Sequence, residues 1–437
     1  MKAITMTIQG EFYDSYIYAG LLYLWTLDGE IVTINWNKLI KSVSESQPDE
    51  LQFATHCAFN KGSYLYQNEW MLFRKDIEMV GRLHDRFTTL ASTPIEFDSF
   101  YNDMSKFIQS RANNSFLFPH ADILLFHDNI FVGNNKGIES VKRTSINRNL
   151  KHDNNKKISD IPVFSLSANN YLIAMASGED GMYEYNIQDT ENKDVIQRSE
   201  NECFFVRWIY TSIFGSSHEK GYIADFAPDN DAKQLAQSIS TRTEISESQE
   251  TLLVTLPKLE RISTTHQDHL ETPNSTPKKR KAPRKFKNFI YSANLFENSD
   301  EQDRYVWGSH DKICLINKDN IYVIKYNPNL SNRYKPMGRI NITKSGLNIH
   351  ELGDIVSCDS SYFGYIIEFD EGLVIINGNE EFMVLNGEPV NWRVFPDSRD
   401  YLNQMHVIYD DCIKILSFYD DYFINQNAKI AGLSKQV

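Results

Sequence analysis

Residues 174–187 read AMASGEDGMYEYNI: a small-residue strand end, a tight turn closing on Gly181, and an alternating strand, with no gap between them. The stretch reads as one β-hairpin. Reversing the backbone needs positive φ at one or more turn positions, which glycine accepts without steric cost and Asn or Asp tolerates. After the turn, Met182, Tyr183, Glu184 and Tyr185 alternate faces with period two and have the aromatic character that strands prefer. Related hairpins lie at 131–141 (FVGNNKGIESV), 213–226 (IFGSSHEKGYIADF) and 306–316 (VWGSHDKICLI), and Gly137 and Gly221 are expected to play the turn role of Gly181. Weaker copies occur at 22–36 (LYLWTLDGEIVTINW), 365–378 (YIIEFDEGLVIING) and 407–418 (VIYDDCIKILSF), with a further candidate turn at Lys75 and Asp76.

The turns fall near positions 29, 76, 137, 181, 221, 312, 372 and 412, and the cleanest steps are 44, 40 and 40 residues. One hairpin every 40–45 residues is the spacing of a four-stranded propeller blade, a unit that must stack on its neighbours to bury both faces. The hairpin at 174–187 resembles the third and fourth strands of a WD40 blade. The chain has no Gly-His pair at blade starts and no Trp-Asp at strand ends; Asn35 Trp36 and Tyr185 Asn186 stand nearest. The fold expected is all-β: a seven-bladed, or eight-bladed, β-propeller with one inserted amphipathic helix and a disordered insertion. An irregular β-sandwich is the competing architecture.

The 437 residues carry a net charge of −13, which disfavours nucleic-acid binding by the chain as a whole. Cys57, Cys203, Cys314, Cys358 and Cys412 form no CxxC pair, and four of the five sit in or beside apolar runs, as buried reduced thiols do. The sequence shows neither an apolar signal segment nor about 18 uninterrupted apolar residues, so a soluble intracellular protein is expected, cytoplasmic, or nuclear in a eukaryotic host.

The expected organisation is a first propeller part at 1–227, an insertion at 228–287, a second propeller part at 288–425 and a tail at 426–437. Residues 2–8 alternate and are expected to close the ring by pairing with C-terminal strands. Residues 42–50 read as a polar loop. Over 93–111, Thr93, Pro94 and Glu96 suggest a helix start, and Phe97, Phe100, Tyr101, Met104, Phe107 and Ile108 fall on one helical stripe. Such a helix either packs on the propeller or offers a docking face.

Within the insertion, Lys278, Lys279, Arg280, Lys281, Arg284, Lys285 and Lys287 place seven basic residues in ten positions. The cluster resembles a monopartite nuclear import signal; a solvated linker and a local contact with nucleic acid or another anion are the alternatives. Thr276 before Pro277 suits a proline-directed kinase, whose phosphate would oppose the cluster. No GxSxG, HExxH or GxxxxGKS pattern occurs, and the spacing of His266 and His269 lacks a supporting ligand frame. Neither cofactor nor metal is expected. His127 Asp128 and His310 Asp311 read as turn formers. Acidic hairpin tips at Asp28, Asp180, Glu219, Asp311, Glu371 and Asp411 are expected to gather on one face.

The resemblance implies a non-enzymatic scaffold or adaptor that presents its faces to protein partners in a larger complex, without membrane contact. Two other functions fit the pattern: a nuclear or nucleic-acid-associated factor acting through 278–287, and a hydrolase or lyase using the axial funnel. Converging His and Asp side chains from different blades would favour the last.

Overall fold

A computed structural model describes residues 1–60, 77–147, 155–169, 171–188, 195–210, 212–217, 220–228, 258–262, 286–294, 304–309, 311–317, 320–327, 334–343, 351–398 and 400–419. Their strands form seven sheets of four or five strands. The first sheet holds Phe12–Tyr18, Leu21–Thr26, Glu30–Asn35 and Ile108–Asn113; the second holds Asp122–Phe126, Asn129–Asn134, Gly137–Lys142 and Lys156–Ser159. The third holds Ser165–Asn169, Leu172–Ala176, Met182–Asn186 and Val195–Ser199. The fourth runs Phe205–Ile209, Ser212–Ser217, Lys220–Pro228 and Phe286–Asn294, with Lys258–Ile262 added outside. Arg304–Ser309, Lys312–Asn317, Asn320–Tyr326 and Tyr334–Asn341 make the fifth; Ile355–Ser361, Gly364–Phe369, Gly372–Ile376 and Phe382–Asn386 make the sixth. The seventh runs Asn391–Val394, Gln404–Ile408, Cys412–Phe418 and Ala3–Gln9, with Ile95–Phe97 at its edge.

Each sheet's first strand touches the first strand of the next, and the first strand of the seventh returns to that of the first. This is an all-β propeller arrangement with the first strands around the axis. Ala3–Gln9 pairs antiparallel with Cys412–Phe418 from Ala3 opposite Phe418 to Gln9 opposite Cys412, so the expected closure is present.

Seven of the eight expected turn positions mark hairpins, one in each sheet. The quoted stretch holds the second and third strands of its sheet, not the third and fourth. In the first five sheets the fourth strand follows a longer connection, which breaks the sequence pattern. Lys312 instead begins a second strand, which is why the step from 312 to 372 is long. Gly181, at φ 90°, meets the turn expectation, and a Cβ there would lie 2.1 Å from the Ser199 carbonyl oxygen. Gly221 does not: it sits inside a strand, where a Cβ would press within 2.9 Å of the Phe214 ring and Val306, so close packing selects glycine.

Among the described residues, the connection between the third and fourth strands of the first sheet holds three long helices: α1 (Trp36–Ser46), α2 (Asp49–Asn60) and α3 (Ile77–Ala91). The loop expected at 42–50 is thus mostly helix. Asn35 caps α1 by accepting from the Lys38 N–H at 3.0 Å, and Trp36, Leu39, Ile40 and Val43 form its buried stripe. The candidate turn at Lys75 and Asp76 lies outside the described residues, and Ile77 directly after it begins α3. These helices pack across the closure of the ring. Trp36 donates to the Phe59 carbonyl at 3.0 Å, Asn403 and Ser417 both donate to the Ala58 carbonyl, at 3.0 and 2.7 Å, and Phe87 packs on Tyr419.

The single helix expected over 93–111 does not form. Ile95–Phe97 pairs in parallel with Ala3–Gln9, α4 (Phe100–Asp103) lasts four residues, a 3-10 turn covers Ser105–Phe107, and Ile108 begins a strand. Ser99, not Thr93, is the cap, with its N–H donating back to Asp103 Oδ2 at 2.9 Å. The open sheet edge captures Ile95–Phe97, and that pairing overrides helical spacing. Phe100, Met104 and Phe107 are core, so no docking stripe remains; only Tyr101 is exposed.

Candidate functional site in the central channel

The first strands enclose a cavity of about 380 Å³. Charged residues interrupt these short strands at inward positions, and almost all of them bond one another. Arg393 of the seventh sheet donates from Nη2 to Asp14 Oδ2 of the first at 2.9 Å, and from Nη1 to Asp122 Oδ1 of the second at 3.0 Å. It also reaches the Ile123 carbonyl at 3.1 Å and lies over the Tyr16 ring. Asp122 in turn accepts from the Leu166 N–H of the third sheet at 2.7 Å. One guanidinium therefore ties three sheets directly and a fourth through Asp122.

Across the channel Arg207 of the fourth sheet pairs with Asp359 of the sixth at 2.5 Å. Glu368 accepts from Trp392 Nε1 at 2.8 Å and from the Ser357 hydroxyl at 2.5 Å. Hydroxyls complete the lacing between sheets: Ser165 and Ser167 accept from the Val206 and Trp208 N–H groups, and Ser309 donates to the Ser360 carbonyl at 2.6 Å.

One His–Asp pair forms, between His120 in the loop before the second sheet and Asp14 of the first. His120 Nε2 lies 3.2 Å from Asp14 Oδ2, and His406 Nδ1 lies 3.0 Å from the Ser15 hydroxyl. Both contacts are sealed from solvent, since Asp14, Ser15 and His406 are 1% exposed or less and His120 is 4% exposed. Burial makes ionising Asp14 costly, but Arg393 and His120 outweigh it and hold its carboxyl below the usual range. Burial, with Arg393 nearby, depresses His406 to about 3. Burial holds Asp359 above the usual carboxylate range even with Arg207 beside it, and raises the Tyr16 phenol to about 12. These groups are committed to structure. Among the described residues no set of three or more His, Cys, Asp or Glu side chains could hold a metal ion.

All five cysteines are free and buried, and burial pushes Cys57, Cys203 and Cys314 up to about 12, so they are not thiolates at neutral pH. Thr276, Lys278, Lys279, Arg280, Lys281, Arg284, Lys285, His266, His269 and the tail lie outside the described residues. Lys287 falls in a strand opposite Ala227, and Lys258–Ile262, inside the stretch expected to lack strands, pairs with the same strand. His127 is a turn former, at φ 52° and stacked on Tyr171.

The acidic tips divide. Asp28, Asp180, Glu371 and Asp411 sit between second and third strands, whereas Asp311 lies between first and second strands on the opposite face, paired with Lys325 at 3.1 Å. Glu219 is outside the described residues. The channel residues Asp14, Asp122, Arg207, Asp359 and Arg393 were not singled out by motif; their signal is a charge inside a short apolar strand, as in FVRWI and NWRV.

No protein-family model matches the chain, and no curated protein matches it. Among solved structures it is similar to a chain in the crystal structure of the mitotic checkpoint complex, at 10% identity over 69% of this chain and 78% of that one, with a TM-score of 0.38. It is also similar to the computationally designed Ika8 protein, at 6% identity over 96% of this chain and 100% of that one, with a TM-score of 0.40. Likenesses this distant say nothing of activity, and the propeller arrangement rests on the strand pairing above.

Proposed function

We propose that the chain is one seven-bladed propeller acting as a non-enzymatic scaffold or adaptor for protein partners. The observation that carries this reading is the mutual commitment of the channel's charged groups. Arg393 is used by Asp14 and Asp122, Arg207 by Asp359, and the buried histidines by Asp14 and Ser15. A catalytic funnel needs polar groups left free for substrate, and here they tie sheets together. A ring held rigid in this way keeps many surface loops in fixed relation, which suits recognition.

The test is a quantitative pull-down from native cells with the full chain and with a form in which residues 263–285 are replaced by a short Gly-Ser linker. That deletion spares the paired strands Lys258–Ile262 and Phe286–Asn294. The scaffold reading expects the same partners with both forms. Loss confined to the deletion would transfer the function to the basic insertion, and absence of any partner with either form would overturn the scaffold reading.

A further inference from the structure

In an antiparallel four-stranded sheet, the loop leading into the first strand and the turn between the second and third emerge on the same side. Phe164, Phe204 and Val390 are each the residue immediately before the first strand of their sheet, and all three line the cavity. Phe164 and Val390 are each 41% exposed. Phe164 and Phe204 meet edge to face with centroids 5.3 Å apart, over Gly178, where a Cβ would come within 2.9 Å of the Phe164 ring. Gly178 is bridged to Cys203, so the quoted hairpin supports this apolar collar directly. Helices α1 to α3 lie at the other end of their sheet, on the opposite side.

Charge surrounds the collar on both sides. Outward, the same face carries exposed Asp28, Asp180, Glu371 and Asp411 at the second-to-third-strand turns, against one lysine, Lys136, at those turns among the described residues. Inward, the charged groups of the cavity wall are paired, Asp122 with Arg393 and Asp359 with Arg207, so the charge open to a partner is that of the rim. Apolar residues inside an acidic rim are complementary to a peptide whose apolar side chains are flanked by cations.

We propose that this face seats a basic peptide segment of a partner protein. Its apolar side chains rest on Phe164, Phe204 and Val390, and its flanking cations face the acidic turns. The inference rests on the scaffold reading and names its partner class.

The test is selection of random dodecapeptides on the immobilised full chain, followed by fluorescence anisotropy with the consensus peptide. The expected consensus holds at least two Lys or Arg beside an aromatic or aliphatic residue. Its affinity falls about tenfold in Phe164→Ser/Val390→Ser and also falls on raising salt. It is unchanged in Tyr171→Ser, which alters the opposite face, with thermal melts confirming that each variant folds. An acidic or uncharged consensus, or a collar variant that binds within about twofold of the parent, overturns the proposal. If that variant still recovers the native partners, the scaffold reading stands and only the assignment of this face falls; if the parent recovers none, the scaffold reading itself falls.

Discussion

Removing Arg393 strands two carboxylates, Asp14 and Asp122, that have little access to water. Arg393→Met is expected to destabilise the fold by about 3–5 kcal/mol in chemical denaturation, and Arg393→Met combined with Asp14→Asn to recover part of that loss. His406 supplies a pH dependence. Its folded value of about 3 lies below the ordinary 6.5, so the unfolded chain binds the extra proton as pH falls. Its stabilising contribution is full above pH 6.5 and is lost toward pH 3, at no more than about 1.4 kcal/mol per pH unit. Asp14, held low, adds a loss of the same sign below its ordinary value, and Asp359, held high, runs the other way. His406→Gln should flatten stability between pH 6.5 and about 4, as read from denaturation midpoints; an unchanged slope would reject the assignment. Gly181→Ala places a Cβ against the Ser199 carbonyl at positive φ and is expected to cost about 2 kcal/mol or more.

Among elements, the helical insertion and the closing strand matter most. α1 to α3 cross from the first sheet to the seventh, so they buttress the place where the two ends of the chain meet. Trp36 is fully buried and hydrogen-bonded there, and Trp36→Ala is expected to lower stability by about 3–5 kcal/mol in the same denaturation assay. Hairpins were legible in the sequence because glycine or acidic turns and period-two alternation are local signals. The helices were less so: the stripe Trp36, Leu39, Ile40, Val43 begins directly at a strand end, and the polar residues after it read as a loop. The opposite error at 93–111 has a tertiary cause. The same residues satisfy a helical period, yet Ile95–Phe97 meets the unpaired edge of Ala3–Gln9 and a ladder forms instead. The channel's ion pairs join residues as far apart as Asp14 and Arg393, a proximity that no spacing along the chain encodes; only the lone charges in apolar strands hinted at it.

For the whole molecule, the sheets meet around an axis whose polar groups are spent on holding the ring, while an apolar collar within an acidic face stays open. On the proposed function the interior gives rigidity and the surface gives recognition. Hydrogen–deuterium exchange on the full chain, with and without the purified partner recovered in the pull-down, tests it most directly. New protection is expected in the loops that lead into the first strands, around Phe164, Phe204 and Val390, with the already buried first strands little changed. Protection confined to residues 229–257 and 263–285 would contradict it, and would make the propeller only a mount for the insertion.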